Sequence, residues 1–458
     1  MAILVTALGA CVGSFLNVVI YRLPRGLSVG NPKRSFCPRC DGTIAGYDNI
    51  PLMSYLFLRG RCRRCRSPIS LQYPLVEFTT ALLFLCTYDA FIAQGLRRGV
   101  GSWPQDGAIV VAHWILWAGL LATAVMDVEA YHLDVRVTWF ASGAGIVCHT
   151  LWTPTSSDAW PRPGPALAAG SIAAALALGI TWLYTVARER TRRCSEPSET
   201  DTPGPPAEPS PQDEPAGAPR AIISVTVPVL SLLLLAGYIA WMGFSSPPAP
   251  GVSSHSGPLR ALAVVLVLMA MTVAACGRPR PADEEIYEAI RAESPSARRT
   301  ALRELLWLAP ALGIGFAVAC ASPHLLTNAP GDGALDWSPV GQWRPVLGVA
   351  TGLSGFVIAG GIGWAVRILF TGVLGREAFG VGDIHMMAAA GAVAGWRVVL
   401  LGFFISAPLA LLGVLFFLLF RRSSRAIQYG PWLGLGFFLT ALFQDRMIDA
   451  LQLRWLLG

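Results

Sequence analysis

Long apolar runs recur along nearly the whole chain, and short polar segments separate them. Each run is close to the roughly 20 residues that an α-helix needs to cross the hydrocarbon core of a bilayer. The pattern predicts an all-α polytopic membrane protein with about twelve transmembrane helices. These helices are expected at residues 1–20, 75–93, 108–126, 136–152, 166–187, 221–243, 259–276, 305–322, 346–373, 384–396, 398–420 and 430–444.

The composition and the charge support this class and suggest an orientation. Of the 458 residues, 53% are hydrophobic and only 14% are charged, too few to cover a water-soluble chain of this length. Basic residues concentrate at 22–66, after the first span, so this loop is expected to face the cytoplasm. Twelve spans place the other basic clusters on the same side. The net charge of +7 is then a topology signal, and no nucleic-acid partner is expected.

Three segments outside the central spans have distinct patterns. The N-terminal run has no basic region before it, so we interpret it as a retained first span rather than a signal peptide. Residues 194–220 are rich in proline and acidic side chains and predict a disordered linker. Residues 283–303 are charged with sparse apolar positions, which favours a short surface helix, with a partner-binding helix as the alternative.

Four cysteines form two C-x-x-C pairs within the loop after the first span, Cys37 with Cys40 and Cys62 with Cys65. Paired knuckles of this kind supply four thiolates that close a tetrahedral zinc site. A cytoplasmic location disfavours a pair of disulfides because that compartment is reducing. Iron binding and a redox role are also consistent with the four thiols. Four thiolates leave no open coordination position, so the expected Zn²⁺ is structural.

Two aspartates lie at the edges of apolar segments, Asp127 and Asp383. An ionisable group at membrane depth costs roughly 2.5–3.5 kcal/mol on insertion scales, so it usually faces the interior of the bundle or a watery cavity. Two carboxylates that meet there do not both ionise easily. One then holds a proton while the other activates water, which is the chemistry of an aspartic protease. The pair therefore predicts peptide hydrolysis at the membrane surface.

Asp383 ends a G-x-G-D sequence that opens a span. Gly380 and Gly382 would let the backbone bend sharply and let a substrate strand approach the carboxylate. In the first helical turn, the helix dipole favours the ionised carboxylate. The alternative is an ordinary N-cap aspartate after a glycine turn.

Asp127 closes its apolar run, and further polar residues follow it. Asp134 is two helical turns later and would share a face with Asp127 if the helix continued. Any of these acids alternatively marks the membrane interface. His132 and His385 are expected to be solvated or hydrogen-bonded, with tuning of the carboxylate pair or metal binding as the alternative.

Several motifs in a fixed order resemble those of one family, the bifunctional prepilin peptidases, also called type IV leader peptidase/N-methyltransferases. The residues that carry the resemblance are 13–24, both C-x-x-C pairs, 49–52, 54–55, 73–77, Asp127, 376–383, 388–395 and 429–431. Each motif alone is weak, and the resemblance rests on their order and joint presence. It covers roughly residues 1–150 and 345–445.

The resemblance implies a bacterial inner-membrane aspartic protease whose active site faces the cytoplasm. It implies cleavage of the leader peptide of type IV prepilins or type II secretion pseudopilins, with Asp127 and Asp383 as the catalytic pair. It also implies N-methylation of the new N-terminus, usually phenylalanine, by S-adenosylmethionine. By the same resemblance Gly380, Gly382, Glu377, His385 and Asp134 support the catalytic motifs. Residues associated with methyl transfer are the four cysteines, Asn17, Arg22 and Glu77.

Three departures from the family pattern stand out. His385 replaces the usual lysine, which removes a positive charge near the carboxylates. Asp134-Val135 replaces a proline–aspartate pair, so a second carboxylate is present but one position displaced. Residues 155–344 are additional and contain four of the predicted spans, beside about eight in the family core. An even number of added spans keeps both aspartates on one side of the membrane.

The expected organisation has five parts. They are a first transmembrane helix at 1–21, a zinc-binding cytoplasmic loop associated with methyl transfer at 22–74, helices carrying the first catalytic aspartate at 75–154, the inserted region at 155–344, and the peptidase core with the G-x-G-D motif at 345–458.

Two alternative functions are consistent with the sequence. One is a peptidase without methyl transfer, because no glycine-rich nucleotide-binding fingerprint is present. The other is a non-catalytic membrane scaffold whose zinc loop recruits components of a pilus or type II secretion machinery. The expected partners are membrane lipid, prepilin or pseudopilin substrates and that machinery.

Overall fold

Helices account for nearly all of the regular structure. The computed structural model describes residues 1–130, 133–152, 163–195, 220–244, 256–276, 296–326, 344–419 and 428–453. Within these ranges two isolated β-bridges occur and no β-strand. The helices are α1 Ala2–Arg22, α2 Met53–Phe57, α3 Gln72–Tyr88, α4 Trp103–Ala130, α5 Val135–Leu151, α6 Pro165–Ser195, α7 Arg220–Phe244, α8 Ser256–Cys276, α9 Ala297–Leu326, α10 Arg344–Leu374, α11 Val381–Ala394, α12 Trp396–Leu419 and α13 Gly430–Ala450.

The all-α membrane class is confirmed, and a helix occupies each of the twelve predicted positions. In the part of the chain that the structure describes, nine helices are long and apolar enough to cross a membrane. The other three are α5, α11 and α13. Helix α5 carries Arg136 in its first turn, α11 has only 14 residues, and α13 ends with Asp445, Arg446 and Asp449. The predicted twelve therefore exceeds the number that meets both criteria.

The helices α1 and α3 approach each other closely through two glycines of α1. A Cβ atom at Gly9 would lie 2.7 Å from the Cα atom of Ala81, and one at Gly13 would lie 2.6 Å from the Cα atom of Glu77. Small residues four apart let helix backbones pack directly in a membrane, where lipid provides no hydrophobic driving force between helices. The first span is therefore closely packed against the second.

The centre of the bundle is formed by α3, α4 and α11. In the most apolar window of each span, 83% of α3 and 72% of α4 is buried. Nearly all side chains of α11 after Asp383 are buried, and α11 packs against α4, α5, α10 and α13. Because α11 is short and rich in small residues, the neighbouring helices can approach its backbone closely. The helix that follows the G-x-G-D segment is thus enclosed by the bundle, and the segment itself lies at the end of that helix.

The four helices of the inserted region lie around this centre. Helices α6 and α9 pack against each other and against α10, while α7 packs on α3 and α8 on α3 and α13. Only 22% of the apolar window of α6, α7 and α9 is buried, against 83% for α3. Their outward side chains are large and apolar, as expected for a surface that faces lipid.

Two predicted segments are only partly described. Of the predicted linker at 194–220, residues 196–219 lie outside the described residues. Of the predicted surface helix at 283–303, residues 283–295 also lie outside them, whereas 297–303 form the first turns of α9. The prediction of a surface helix is therefore wrong for residues 297–303, because these turns continue without a break into an apolar span.

Candidate active site and metal centre

Asp127 and Asp383 converge on a third element. Asp127 lies near the C-terminal end of α4, and Asp383 lies in the first turn of α11. The first residue of α13, Gly430, is next to both: a Cβ atom there would lie 2.9 Å from Asp127 Oδ2 and 3.7 Å from Asp383 Oδ1. The two carboxylates also interact electrostatically. Two acidic groups from distant parts of the chain therefore share one small volume.

The glycines of the G-x-G-D segment act by their small size. Gly380 has φ −68° and ψ 141°, an extended conformation open to any residue, so its backbone conformation does not itself require glycine. A Cβ atom at Gly382 would lie 2.7 Å from Leu133 Cδ1, in the link between α4 and α5. A Cβ atom at Gly380 would lie 3.2 Å from Asp383 Oδ2, and the Gly380 N–H interacts with that carboxylate. The segment thus brings Asp383 close to the α4–α5 link.

Asp134 caps a helix and does not extend the one that carries Asp127. Helix α4 ends at Ala130, so the condition for Asp134 and Asp127 to share a helical face is not met. Asp134 is the N-cap of α5, and its Oδ1 accepts a hydrogen bond from the backbone N–H of Arg136 at 2.9 Å. Asp134 therefore supports the site by capping the N-terminus of α5, next to the α4–α5 link.

The two predicted histidines have different outcomes. His385 is half-buried on α11, and its ring centroid lies 6.3 Å from that of Trp139. His132 lies outside the described residues. Among the described histidines, cysteines and acids, the cluster suited to a metal ion is made of cysteines alone, so metal binding by His385 receives no support.

Glu377 is part of an ion-pair network with Arg367 and Glu304, two residues outside the predicted motifs. It accepts a hydrogen bond from Arg367 of α10, whose guanidinium also donates to the Phe379 carbonyl and to Glu304 of α9. Arg367 is only 6% exposed. A lone arginine inside the apolar run 346–373 was the available signal, since such residues usually mark a functional or paired position.

An aromatic cluster lies beside the carboxylates. Tyr429, which precedes Gly430, interacts electrostatically with Asp383, and its ring centroid lies 6.0 Å from that of Phe379. Phe403 packs edge-on against both rings. These rings form one apolar wall close to the acidic pair.

The residues predicted to assist methyl transfer connect the loop to α1 and α3. Asn17 Nδ2 donates to the Tyr73 carbonyl at 3.1 Å, and Glu77 accepts from the backbone N–H of Leu52 at 2.7 Å. Arg22 donates to three loop carbonyls between residues 28 and 32. All three side chains are buried. Their contacts hold the loop on the helix pair, and a direct role in methyl transfer stays a prediction.

The four cysteines of the loop come together. The sulfur atoms of Cys37, Cys40, Cys62 and Cys65 all lie within 4.8 Å of one another, and those of Cys37 and Cys65 are 3.8 Å apart. A tetrahedron with Zn–S bonds of about 2.3 Å has edges of about 3.8 Å, so the cluster fits a zinc ion. A bound Zn²⁺ would be closed off by four sulfurs and would fix the shape of the loop.

The two knuckles have the same backbone geometry. In the first, Cys37 N–H donates to the Gly42 carbonyl and Asp41 has φ 50°; in the second, Cys62 N–H donates to the Ser67 carbonyl and Arg66 has φ 58°. Hydrogen bonding by Ser67 lowers the pKa of the Cys65 thiol to about 6. A lowered thiol pKa favours the thiolate, which is the form that binds metal.

The acidic pair and the cysteine loop lie at the same end of the bundle. Tyr73, at the start of α3 where the loop ends, interacts electrostatically with Glu129, which is two residues beyond Asp127. The opposite end of the bundle is marked by Arg98, whose backbone N–H donates to Asp445 near the end of α13 at 2.8 Å. This arrangement agrees with the alternation of spans predicted from the sequence.

Comparison with known proteins supports the resemblance. Residues 7–91 match the model of the bacterial peptidase A24 N-terminal domain. The chain is 41% identical over 159 residues to a prepilin leader peptidase/N-methyltransferase of Myxococcus xanthus, a match that covers 35% of this chain and 42% of the relative. A Klebsiella pneumoniae protein of the same description is 51% identical over 145 residues, covering 30% and 58%.

A third relative, a type 4 prepilin-like proteins leader peptide-processing enzyme of Escherichia coli, is 38% identical over 184 residues, covering 36% of this chain and 59% of the relative. No solved structure matches the chain significantly. The chain spans 42% to 59% of the length of these three relatives. The matches confirm that this chain resembles the bifunctional prepilin peptidases.

Proposed function

We propose that this chain is a membrane-embedded aspartyl endopeptidase that cleaves the leader peptide of type IV prepilins or pseudopilins and N-methylates the new N-terminus. The observation that carries the proposal is the convergence of the Asp127 and Asp383 carboxylates on Gly430. The relatives are named as leader peptidases, which agrees with this chemistry.

In the proposed reaction, a water molecule sits between the two carboxylates. The ionised carboxylate takes a proton from this water, whose oxygen attacks the scissile carbonyl carbon. The protonated partner donates a hydrogen bond to the carbonyl oxygen. The C–N bond of the resulting tetrahedral intermediate then breaks as the proton taken from water passes to the leaving nitrogen. Like charges at close range make one shared proton the favoured state of such a pair, as in other aspartic proteases.

The proposed location is the bacterial inner membrane, with the carboxylates at the cytoplasmic face. The basic segment 22–66 lies at the same end of the bundle as the acidic pair, and positive loops are retained on the cytoplasmic side. The same loop would interact favourably with an acidic residue of a prepilin substrate. Pilus or type II secretion machinery is the expected context of that substrate.

Methyl transfer from S-adenosylmethionine is the second half of the proposal. It is supported by the names of the relatives, which are prepilin leader peptidase/N-methyltransferases. Structural Zn²⁺ held by the four cysteines would shape the loop on which this step depends.

The first test is mass spectrometry of a prepilin peptide incubated with the membrane-embedded chain and S-adenosylmethionine. We expect a product cut before its phenylalanine and heavier by one methyl group. Asp127→Asn and Asp383→Asn should each abolish the cut while the chain is produced normally, because neither half of the pair hydrolyses a peptide alone.

Full cleavage activity in either variant would contradict the two-carboxylate mechanism. A product that is cut but not methylated would support the peptidase proposal and contradict the proposed methyltransferase activity. Peptides left uncut across pH and several substrates would favour the non-catalytic scaffold.

A further inference from the structure

The guanidinium of Arg367 connects three segments that are far apart in sequence. It projects from the apolar helix α10, and its Nε lies 3.0 Å from Glu304 Oε2 and 3.1 Å from Oε1. Its Nη2 donates to Glu304 at 3.1 Å, and its Nη1 donates to Glu377 and to the Phe379 carbonyl. A buried cation of this kind is stable only when it is paired and hydrogen-bonded.

The Phe379–Gly380 peptide group connects this arginine to the acidic pair. Its carbonyl accepts the hydrogen bond from Arg367, and Gly380 lies beside the Asp383 carboxylate: a Cβ atom at Gly380 would be 3.2 Å from Asp383 Oδ2. The orientation of one rigid peptide plane therefore depends on Arg367 at one end and affects the interaction of the Gly380 N–H with Asp383 at the other. A charge on the carbonyl side also polarises the N–H, which strengthens that interaction.

Glu304 comes from the inserted region, not from the part of the chain that carries the family motifs. It lies on α9, and its side chain is 17% exposed in its pair with Arg367. A second contact joins the two helices at the same end, where Arg298 Nε donates to the Gly372 carbonyl at 3.1 Å. Helix α9 thus holds the end of α10 that leads into the G-x-G-D segment.

We propose that Glu304 is a positioning residue for Asp383, acting through Arg367 and the Phe379–Gly380 peptide group, and that the inserted region thereby completes the active site. This inference rests on the proposed peptidase function. Without Glu304, the guanidinium loses its bidentate partner and turns toward Glu377, so the peptide plane and the Asp383 carboxylate lose their fixed orientation.

The test compares Glu304→Gln with a neighbouring control in the full chain in lipid nanodiscs. Glu304→Gln should lower kcat for prepilin peptide cleavage by about tenfold to a hundredfold, the size of effect expected when a reacting group is misplaced by about 1 Å. KM should change less than twofold, because substrate contacts are untouched. Glu304→Asp should restore most of the rate, and Arg303→Gln, an exposed neighbour, should behave as wild type.

A second readout does not depend on activity. Hydrogen–deuterium exchange of residues 376–383 should be faster in Glu304→Gln than in wild type, with exchange in α1 and α3 unchanged. Wild-type kcat and wild-type exchange in Glu304→Gln would overturn the inference, as would a rise in KM alone. If wild type itself cuts no prepilin, the peptidase proposal fails, and unchanged exchange at 376–383 would then overturn the positioning role separately.

Discussion

Gly430 limits the space beside the two carboxylates. It is the first residue of α13, and the nearest atoms to a Cβ placed there belong to Asp127 and Asp383. Its φ is not in the left-handed region, so the requirement for glycine is one of space. The absence of a side chain leaves space beside the carboxylates, which the proposed reaction requires for water and a scissile peptide.

Gly430→Ala should therefore impair cleavage without unfolding the protein. The new methyl group would stand 2.9 Å from Asp127 Oδ2, which forces the carboxylate to shift. We expect the cleavage rate to fall by about tenfold or more, while Tm changes little because alanine is a good helix former. Both are measured on purified protein in nanodiscs.

A matched control lies one turn later on the same helix. A Cβ atom at Gly434 would meet only Leu120 at 3.9 Å and Met386 at 4.0 Å, so Gly434→Ala should retain activity. Equal activity of the two alanine variants would show that crowding at Gly430 is unimportant.

The cysteine loop is a small structural element with little apolar core. Between α1 and α3 it contains the short helix α2, a 3-10 turn and two isolated bridges, one in each knuckle. Its sulfur cluster joins the two knuckles, and a bidentate ion pair joins Asp48 of the 3-10 turn to Arg63 of the second knuckle. In an element of this size, a metal ion held by the four sulfurs would contribute much of the free energy of folding.

Removal of one ligand should therefore release zinc and loosen the loop. Cys40→Ser should lower the zinc content, measured by elemental mass spectrometry, from one ion per chain to near zero, and should speed proteolysis within 35–70. Cys11→Ser should change neither, because Cys11 is an exposed residue of α1 outside the cluster. Wild-type zinc content in Cys40→Ser would contradict the four-sulfur site.

Across the whole molecule, a buried ion pair connects the inserted region to the N-terminal segment. Arg260 of α8 donates to both carboxylate oxygens of Asp89 at 2.8 and 2.9 Å, and Tyr238 of α7 donates to the same group at 2.9 Å. The two charged side chains are 0% and 2% exposed. The inserted helices are thus attached to the core at this end and, through Glu304, at the other.

Removing only one partner of this ion pair should destabilise the protein strongly. Arg260→Met leaves a buried carboxylate without its cation, so we expect the free energy of unfolding to fall by about 3–5 kcal/mol. The double variant Arg260→Met/Asp89→Leu should recover most of that loss. Unfolding in mixed detergent micelles measures both.

The exposed pair of Arg98 and Asp449 provides the comparison. Its side chains are 55% and 37% exposed, so Arg98→Met should cost at most about 1 kcal/mol. If Arg98→Met and Arg260→Met lowered the free energy of unfolding by similar amounts, burial of the Arg260–Asp89 pair would not explain the larger expected loss.

The sequence by itself determined the membrane class, the positions of the twelve apolar helices, the cysteine pairs and the candidate acids. These properties are local: an apolar run of sufficient length must become a helix in a bilayer, and a C-x-x-C pair brings its own two sulfurs close together. The short helix α2 and the N-terminal end of α9 were not predicted, because both depend on neighbours that the local pattern does not contain.

Only the tertiary structure decided which distant residues meet. Asp127 and Asp383 lie on different helices, and their meeting at Gly430 depends on how α4, α11 and α13 pack. The link from Glu304 through Arg367 likewise requires α9 to lie beside α10. Hydrophobicity drives each helix into the membrane but does not choose its neighbours, which are set by close contacts between small residues and by the pairing of buried charges.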